Sequence, residues 1–260
     1  MRIDKYLAAA GYTKSRKFAQ DLIDAGAVKV DGAVVKKASQ EIDHTVPHEV
    51  EIEQLFKYVS RGGMKLEAAL DAFILSVNGL KAVDVGASTG GFTDCLLKRG
   101  AREVYAVDAG VDQLHPSLLA DERVHSIEKF NARELTEKIT DGPCDIAVAD
   151  VSFISQTYII PPICSVLKDG GAFVSLIKPQ FEAGSSALGK GGIVTSSAYR
   201  YLAVKRVLSC AHDNGFDCRG LIMSPITGGD GNKEYLAYFV KTNVVTPKID
   251  DKFIKRITAL

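Results

Sequence analysis

Residues 82–92 read AVDVGASTGGF: an apolar run, then Gly86, Gly90 and Gly91, then the start of a helix near Phe92. Glycines let a backbone turn sharply and approach a ligand closely. The free amides at a helix start favour a negative group. The dinucleotide fingerprint G-x-G-x-x-G fails here, because Ser88 fills its middle position, and no GK[ST] follows to make a phosphate loop. One strand later REVYAVDAG (102–110) puts Asp108 at a strand end, 22 residues beyond Gly86. A carboxylate there can accept hydrogen bonds from a ribose diol.

Outward from this turn, apolar strands alternate with amphipathic helices. Strands are predicted near 81–85, 103–107, 123–127, 145–149, 172–177, 216–223 and 235–241, and helices near 91–99, 131–138, 155–167 and 198–214. Such alternation implies an α/β fold with a mostly parallel sheet and helices on both faces. The last two strands share a short Gly-rich connection, so they are expected to pair antiparallel. Upstream, Leu66, Ala69, Leu70 and Phe73 form a helical stripe. Residues 183–197, AGSSALGKGGIVTSS, make a loop too long for a simple connector.

Four charged residues fall where strand ends converge. Lys65 lies on the helix before the first strand. Asp150 ends the fourth strand in CDIAVADVSFIS, Lys178 ends the fifth in GAFVSLIKPQFE, and Glu234 opens the last in GNKEYLAYF. Open α/β sheets bind ligands outside the carboxyl ends of their parallel strands. Two lysines and two carboxylates suit activation of a hydroxyl, a poor nucleophile that must be positioned and relieved of its proton. Cys164 in PPICSV sits in an expected helix away from a strand end and reads as a structural thiol.

The glycine turn followed by Asp108 resembles the first two motifs of S-adenosylmethionine-dependent methyltransferases. That resemblance implies S-adenosyl-L-methionine as cofactor, with Asp84, Gly86, Ala87, Ser88, Gly90, Gly91, Phe92 and Asp108 as its binding set. Lys65, Asp150, Lys178 and Glu234, set in VSRGGMKL, DVSFIS, LIKPQFE and GGDGNKEYL, resemble the Lys-Asp-Lys-Glu tetrad of FtsJ-like ribose 2′-O-methyltransferases. The implied fold is a Rossmann-like, seven-stranded methyltransferase domain with an antiparallel last strand. Residues 1–243 as a whole resemble the TlyA family. Its members methylate cytidine riboses in ribosomal RNA and also carry a haemolysin label. By that resemblance Lys178 is the base or positioning residue, and Lys65, Asp150 and Glu234 support it.

The first 35 residues, MRIDKYLAAAGYTKSRKFAQDLIDAGAVKVDGAVV, read as two short helices and a hairpin about Asp31-Gly32. Thr13 or Ser15 is the expected cap of the second helix, and the piece is expected to close near residue 54 after a strand around Val50–Ile52. The pattern resembles the small S-four RNA-binding module. The expected RNA contacts are Arg2, Lys5, Lys14, Arg16, Lys17, Lys29, Lys36 and Lys37, with Arg61 beyond them. Residues 1–40 hold eight basic residues against four acidic ones, although the whole chain balances 32 Lys and Arg against 32 Asp and Glu. A zero total excludes a polybasic coat, but it conceals a basic N-terminal face.

The expected division is therefore a small α+β RNA-binding domain (1–56), a linker (57–61), a methyltransferase domain (62–243) and a C-terminal extension (244–260). Five cysteines without CxxC spacing and five scattered histidines indicate neither a disulfide framework nor a metal site. No stretch approaches the roughly 20 apolar residues of a membrane span, and the N-terminus does not read as a signal peptide. A cytoplasmic enzyme acting on ribosomal RNA or ribosomal subunits, without stable membrane insertion, is the expectation. Two other readings stand beside it: a non-catalytic RNA-binding assembly factor with a methyltransferase fold, and a haemolysin-type membrane-active protein.

Overall fold

The computed structural model describes residues 1–13, 16–24, 26–52, 57–228, 231–242 and 250–260, and leaves the side chains of Lys17 and Asp21 undescribed. The expected RNA contact Lys14, the expected cap Ser15, the stretch around residue 54 and residues 244–249 of the extension lie outside these. The chain forms two compact units, Met1–Lys57 and Tyr58–Leu260.

In the first unit, α1 (Ile3–Ala9) and α2 (Arg16–Asp24) cover a three-stranded antiparallel sheet of order β2–β1–β3, from β1 (Val28–Val30), β2 (Ala33–Val34) and β3 (Val50–Ile52). Val30 pairs with Ala33, so Asp31-Gly32 is a two-residue turn. Both turn residues have positive φ, +49° and +78°, the backbone a tight hairpin demands. Ile3, Leu7, Leu22, Ile23, Val28 and Val35 fill the core. Asp31 does more than turn the chain. Its carboxylate accepts from the Glu49 amide at 3.0 Å and meets His48 Nδ1 at 2.7 Å, while His48 Nε2 lies 2.7 Å from the Asp43 carbonyl. Two acceptors facing both ring nitrogens favour the doubly protonated imidazole, and they raise the His48 pKa.

The second unit is built on a seven-stranded sheet, β4 (Lys81–Val85), β5 (Glu103–Val107), β6 (Val124–Ile127), β7 (Cys144–Ala149), β8 (Leu167–Ile177), β9 (Phe216–Met223) and β10 (Tyr235–Lys241), in the order β6–β5–β4–β7–β8–β10–β9. All five residues of β4 are buried, as expected of a parallel strand covered on both faces. The first five strands run parallel; β10 pairs antiparallel with both β8 and β9. The chain moves outward from β4 through β5 to β6 and then returns to β7, so the topological switch point lies between β4 and β7.

Helices α3 (Gly62–Ala72) and α4 (Gly91–Lys98) pack on one face, with Leu66, Leu70 and Leu96 fully buried. On the other face α6 (Ile160–Val166) and α8 (Ser197–Asp213) cover Phe173, Phe216 and Phe239, whose rings lie 5.5–6.1 Å apart. Cys164 is in α6 and its thiol donates to the Asn214 carbonyl. Helix α9 (Asp251–Ala259) packs on α8: Arg200 is buried and donates to the Thr258 carbonyl at 2.9 and 3.1 Å.

Two local expectations change. The helix predicted over 131–138 is only a 3₁₀ turn, Ala132–Glu134. Leu135 turns extended to bury its side chain, and the β-branched Thr136, Ile139 and Thr140 do not carry the helix on. The helix predicted over 155–167 splits at Ile159 into a 3₁₀ turn, Gln156–Tyr158, and α6, whose first turn holds the Pro161-Pro162 pair. Within the segment expected to be a linker, Tyr58 is buried, the Val59 amide donates to Asp94 Oδ2 at 2.8 Å, and a Cβ on Gly63 would lie 2.4 Å from the Tyr58 ring. A one-turn helix, α5 (Pro116–Leu119), was not anticipated; His115 caps it by accepting from the Ser117 amide.

The small unit should titrate through His48. A raised folded-state pKa contributes stability below the free value near 6.5 that is lost as pH rises through the folded value. The urea midpoint of the small unit's spectroscopic transition is expected to fall over that window, and His48→Gln should flatten the fall.

Candidate active site

The turn after β4 needs glycine for different reasons at different places. Gly86 has φ +84°, and a Cβ on it would stand 2.8 Å from the Asp150 carbonyl oxygen. Gly90 has φ +93°, and its Cβ would strike Leu118 at 2.3 Å. A Cβ on Gly91 would meet Ser60 Oγ at 2.2 Å, so this glycine admits the start of α3. The glycine turn is thereby pressed between the loop after β7 and the segment entering α3.

A cavity of about 640 Å³ opens at the switch point, lined among others by Gly86, Ser88, Asp108, Gln113, Phe130 and Asp150. That is within the usual size of a small-molecule site. Asp108 at its rim is already oriented: Oδ2 accepts from the Ser88 amide and Oδ1 from the Gly110 amide, both at 2.7 Å. Of the residues expected to hold a cofactor, Gly86, Ser88 and Asp108 line the cavity. Ala87, Gly90, Gly91 and Phe92 are buried in or beneath the turn and shape it.

Asp84 lies under the turn, fully buried. Its Oδ2 accepts from Thr93 Oγ1 at 2.7 Å, while Oδ1 has no hydrogen-bond partner among the described residues. Burial pushes its pKa up to about 7; the Thr93 bonds oppose this, and the nearby Asp150 and Asp108 charges add to it. A buried acceptor in this state is suited to a cationic ligand group nearby.

The four expected catalytic residues form two ion pairs. Lys65 Nζ donates to Glu234 Oε2 at 2.6 Å, and Lys178 Nζ sits 2.6 Å from Asp150 Oδ1. Lys178 Nζ also donates to Ser152 Oγ at 2.8 Å. The β8–β10 register pairs Tyr235 with Ile177, so Glu234 and Lys178 continue the same ladder side by side. A Cβ on Gly62 would lie 3.8 Å from Asp150 Oδ2, which brings the start of α3 to the same edge. Glu234 is 2% exposed and sits against Gly228, whose Cβ would come 2.6 Å from Oε1. The arrangement is charge-balanced, and Asp150, with Ser152 and Phe153 beside it, brings it to the cavity wall.

Sequence reasoning missed Gln113, Lys129, Phe130 and Asn131 on the cavity wall. Phe130 and Asn131 sit at the border of a segment read as a helix, and only the position just after β6 pointed to them. Ser152 stood inside the quoted DVSFIS without being singled out. Phe153 is a further surprise: it is 91% exposed with φ +63°, and its ring lies 5.1 Å from that of Phe181.

In the small unit, Arg2 and Arg16 both bond the fully buried Asp4, at 3.0–3.1 and 2.8 Å, and Gln20 adds a bond at 2.7 Å. Although burial opposes it, these bonds hold the Asp4 carboxyl well below the usual range. Both guanidinium groups keep an outward face, with side chains 43% and 52% exposed. Lys5, Lys36 and Lys37 are exposed, while Lys29 approaches Glu51 at 3.8 Å. Arg61 precedes α3 in the second unit and is partly exposed. Among the described residues no cluster of His, Cys, Asp and Glu could hold a metal ion, and no helix is long and apolar enough to cross a membrane.

A seven-stranded sheet of this order, with a cavity at its switch point, is the fold of methyltransferases. Residues 58–241 match the FtsJ-like methyltransferase family, and residues 1–45 match the S4 domain. Hemolysin A of Brachyspira hyodysenteriae is 46% identical over 92% of this chain and 100% of its own length. The 16S/23S rRNA (cytidine-2'-O)-methyltransferase TlyA of Mycobacterium tuberculosis is 40% identical over 91% of this chain and 88% of its own. A solved chain from Streptococcus thermophilus that carries a hemolysin name superposes with a TM-score of 0.81 at 41% identity, covering 100% of this chain and 94% of that one. The chain belongs to the TlyA group of FtsJ-like methyltransferases.

Asp84 should make the fold pH-sensitive. A carboxyl that keeps its proton to about 7 when folded, but ionises near 3.8 when unfolded, costs stability as pH rises between those values. The urea midpoint of the second unit is expected to fall over that window, and Asp84→Asn should remove most of the fall.

Proposed function

We propose that this protein transfers a methyl group from S-adenosyl-L-methionine to the 2′-hydroxyl of a cytidine ribose in ribosomal RNA, acting on ribosomal subunits in the cytoplasm. The observation that carries this reading is the pairing of Lys65 with Glu234 and of Lys178 with Asp150, the last of which lines the switch-point cavity. Neither a cysteine nucleophile for carbon methylation nor a metal cluster is found there among the described residues.

The cavity fits the cofactor by its own chemistry. Asp84 has an unsatisfied buried oxygen suited to a cationic group, Gly86 leaves the turn without a side chain, and Asp108 is oriented to accept from a ribose diol. Gly86, Ser88 and Asp108 would contact the cofactor directly, while Asp84, Ala87, Gly90, Gly91 and Phe92 hold the turn that receives it. When bound, the cofactor supplies an electrophilic methyl group on a sulfonium that departs as a neutral thioether.

The chain's own residues handle the hydroxyl. Lys178 is held by Asp150 and Ser152, which fix the direction of its remaining N–H or lone pair. From there it orients the 2′-oxygen, and as the neutral amine, after its own proton passes to solvent, it takes the hydroxyl proton while the new carbon–oxygen bond forms and the carbon–sulfur bond breaks. Glu234 pairs with Lys65 and keeps that second ammonium charge-balanced beside the site. Arg2, Lys5, Lys14, Arg16, Lys17, Lys29, Lys36, Lys37 and Arg61 provide phosphate contacts, which position structured RNA without reading its bases.

Ribose methylation mapped across ribosomal RNA, with labelled cofactor and purified protein, tests the reading. Lys178→Ala is expected to cut transfer by about 10²–10⁴-fold, the usual worth of a positioned acid–base group. RNA binding without any methyl transfer by the intact protein would instead support an assembly factor. Cofactor affinity is expected to rise with pH through about 7 as Asp84 ionises, and to lose that slope in Asp84→Asn. Salt is expected to weaken RNA binding far more than cofactor binding, because only the former releases condensed counterions.

A further inference from the structure

We infer that Glu182 is a positioning residue for methyl transfer, cross-tying the loop that carries Asp150 and Ser152 to the loop that carries Lys178. This rests on the catalytic reading of Lys178 given above. The two loops leave adjacent parallel strands, β7 and β8, and meet at two places. At the cavity the tie is Lys178 to Asp150 and Ser152. Four residues further on, Glu182 makes the second tie: Oε2 accepts from Ser155 Oγ at 2.6 Å, and Oε1 accepts from the Gln156 amide at 2.7 Å.

Both ends of that second tie are rigid. Pro179 opens the single helical turn α7 (Pro179–Glu182), which fixes the spacing between Lys178 and Glu182. Ser155 caps the 3₁₀ turn Gln156–Tyr158 by accepting from the Thr157 amide. Gln156 reaches back to the Leu176 carbonyl on β8 at 3.1 Å. Glu182 itself is 3% exposed. No ion pair to its carboxylate is seen among the described residues; Arg206 donates instead to its backbone carbonyl at 3.2 Å. Burial accordingly raises its pKa, and the Ser155 and Gln156 bonds oppose the rise.

A buried carboxylate is an expensive way to join two loops if stability alone is served. Its return is geometric. The tie at the cavity gives up part of its hold whenever Lys178 also engages a substrate hydroxyl. The tie at Glu182 touches no substrate, so it can hold the frame during that exchange. A displacement of about 1 Å at a reacting group can cost about 10²-fold in rate.

The experiment uses the full chain with ribosomal RNA, measuring kcat, RNA KM, cofactor Kd and urea midpoint for wild type, Glu182→Ala, Glu182→Gln, Ser155→Ala and Lys178→Ala. Glu182→Ala is expected to lose about 10²-fold in kcat with cofactor Kd within about two-fold of wild type. Glu182→Gln should recover most of that rate, because an amide can donate to Ser155 Oγ and still accept from the Gln156 amide. Ser155→Ala, which removes one bond of the two, should fall between, and its kcat decides the matter if Glu182→Ala does not fold. Wild-type kcat in Glu182→Ala, a parallel loss of kcat and cofactor affinity, or failure of Glu182→Gln to recover the rate would each overturn the inference. Undiminished transfer by Lys178→Ala would instead overturn the catalytic reading, which keeps the two failures apart.

Discussion

One backbone contact organises the catalytic unit. Gly86 lies against the Asp150 carbonyl so closely that a single added carbon would stand 2.8 Å from it. The contact joins the ends of β4 and β7 at the point where the sheet changes direction. On one side the chain continues into the glycine turn and the cavity; on the other it continues into Asp150 and Ser152. The cavity is therefore built from the two sides of one seam, and Asp150 on one of them reaches Lys178. Displacement of either side would move both the glycine turn and the loop that carries Asp150 and Ser152.

Glycine elsewhere in the site serves the same closeness by other means. Gly91 admits Ser60 and the start of α3, which carries Lys65; Gly63 admits the Tyr58 ring; Gly228 leaves room for Glu234. Each of the four charged residues thus stands on a different element whose approach depends on an absent side chain or on strand register. The ion pairs lock an arrangement that packing has already produced, since such pairs contribute little net stability by themselves.

Much of this was legible in the chain itself. The parallel strands are continuous apolar runs, and their carboxyl ends locate Asp108, Asp150 and Lys178 from a pattern of period and position alone. Glu234 was legible because an antiparallel strand begins where parallel ones end. The cavity's far wall was not. Lys129–Ala132 lies in an irregular segment whose apolar spacing imitates a helix, and the burial of Leu135 that breaks it is a tertiary effect. Glu182 was equally hidden. A glutamate three residues after a proline gives no hint that both its oxygens are taken by the neighbouring loop. In the small unit the hairpin was plain from Asp31-Gly32, whereas the buried Asp4 that two arginines share could not be read from an acidic residue in a basic stretch.

The paired lysines and carboxylates have one more consequence. Two cations matched by two anions make a site with almost no monopole, so its field dies away within a few ångströms. Such a site can polarise a hydroxyl in contact with it, yet it exerts no long-range pull on a polyanion and gains little from ionic strength in either direction. On the proposed function, capture and chemistry would fall to separate length scales. The exposed arginine and lysine faces of the small unit would act over a Debye length, while the two ion pairs would act only at touching distance.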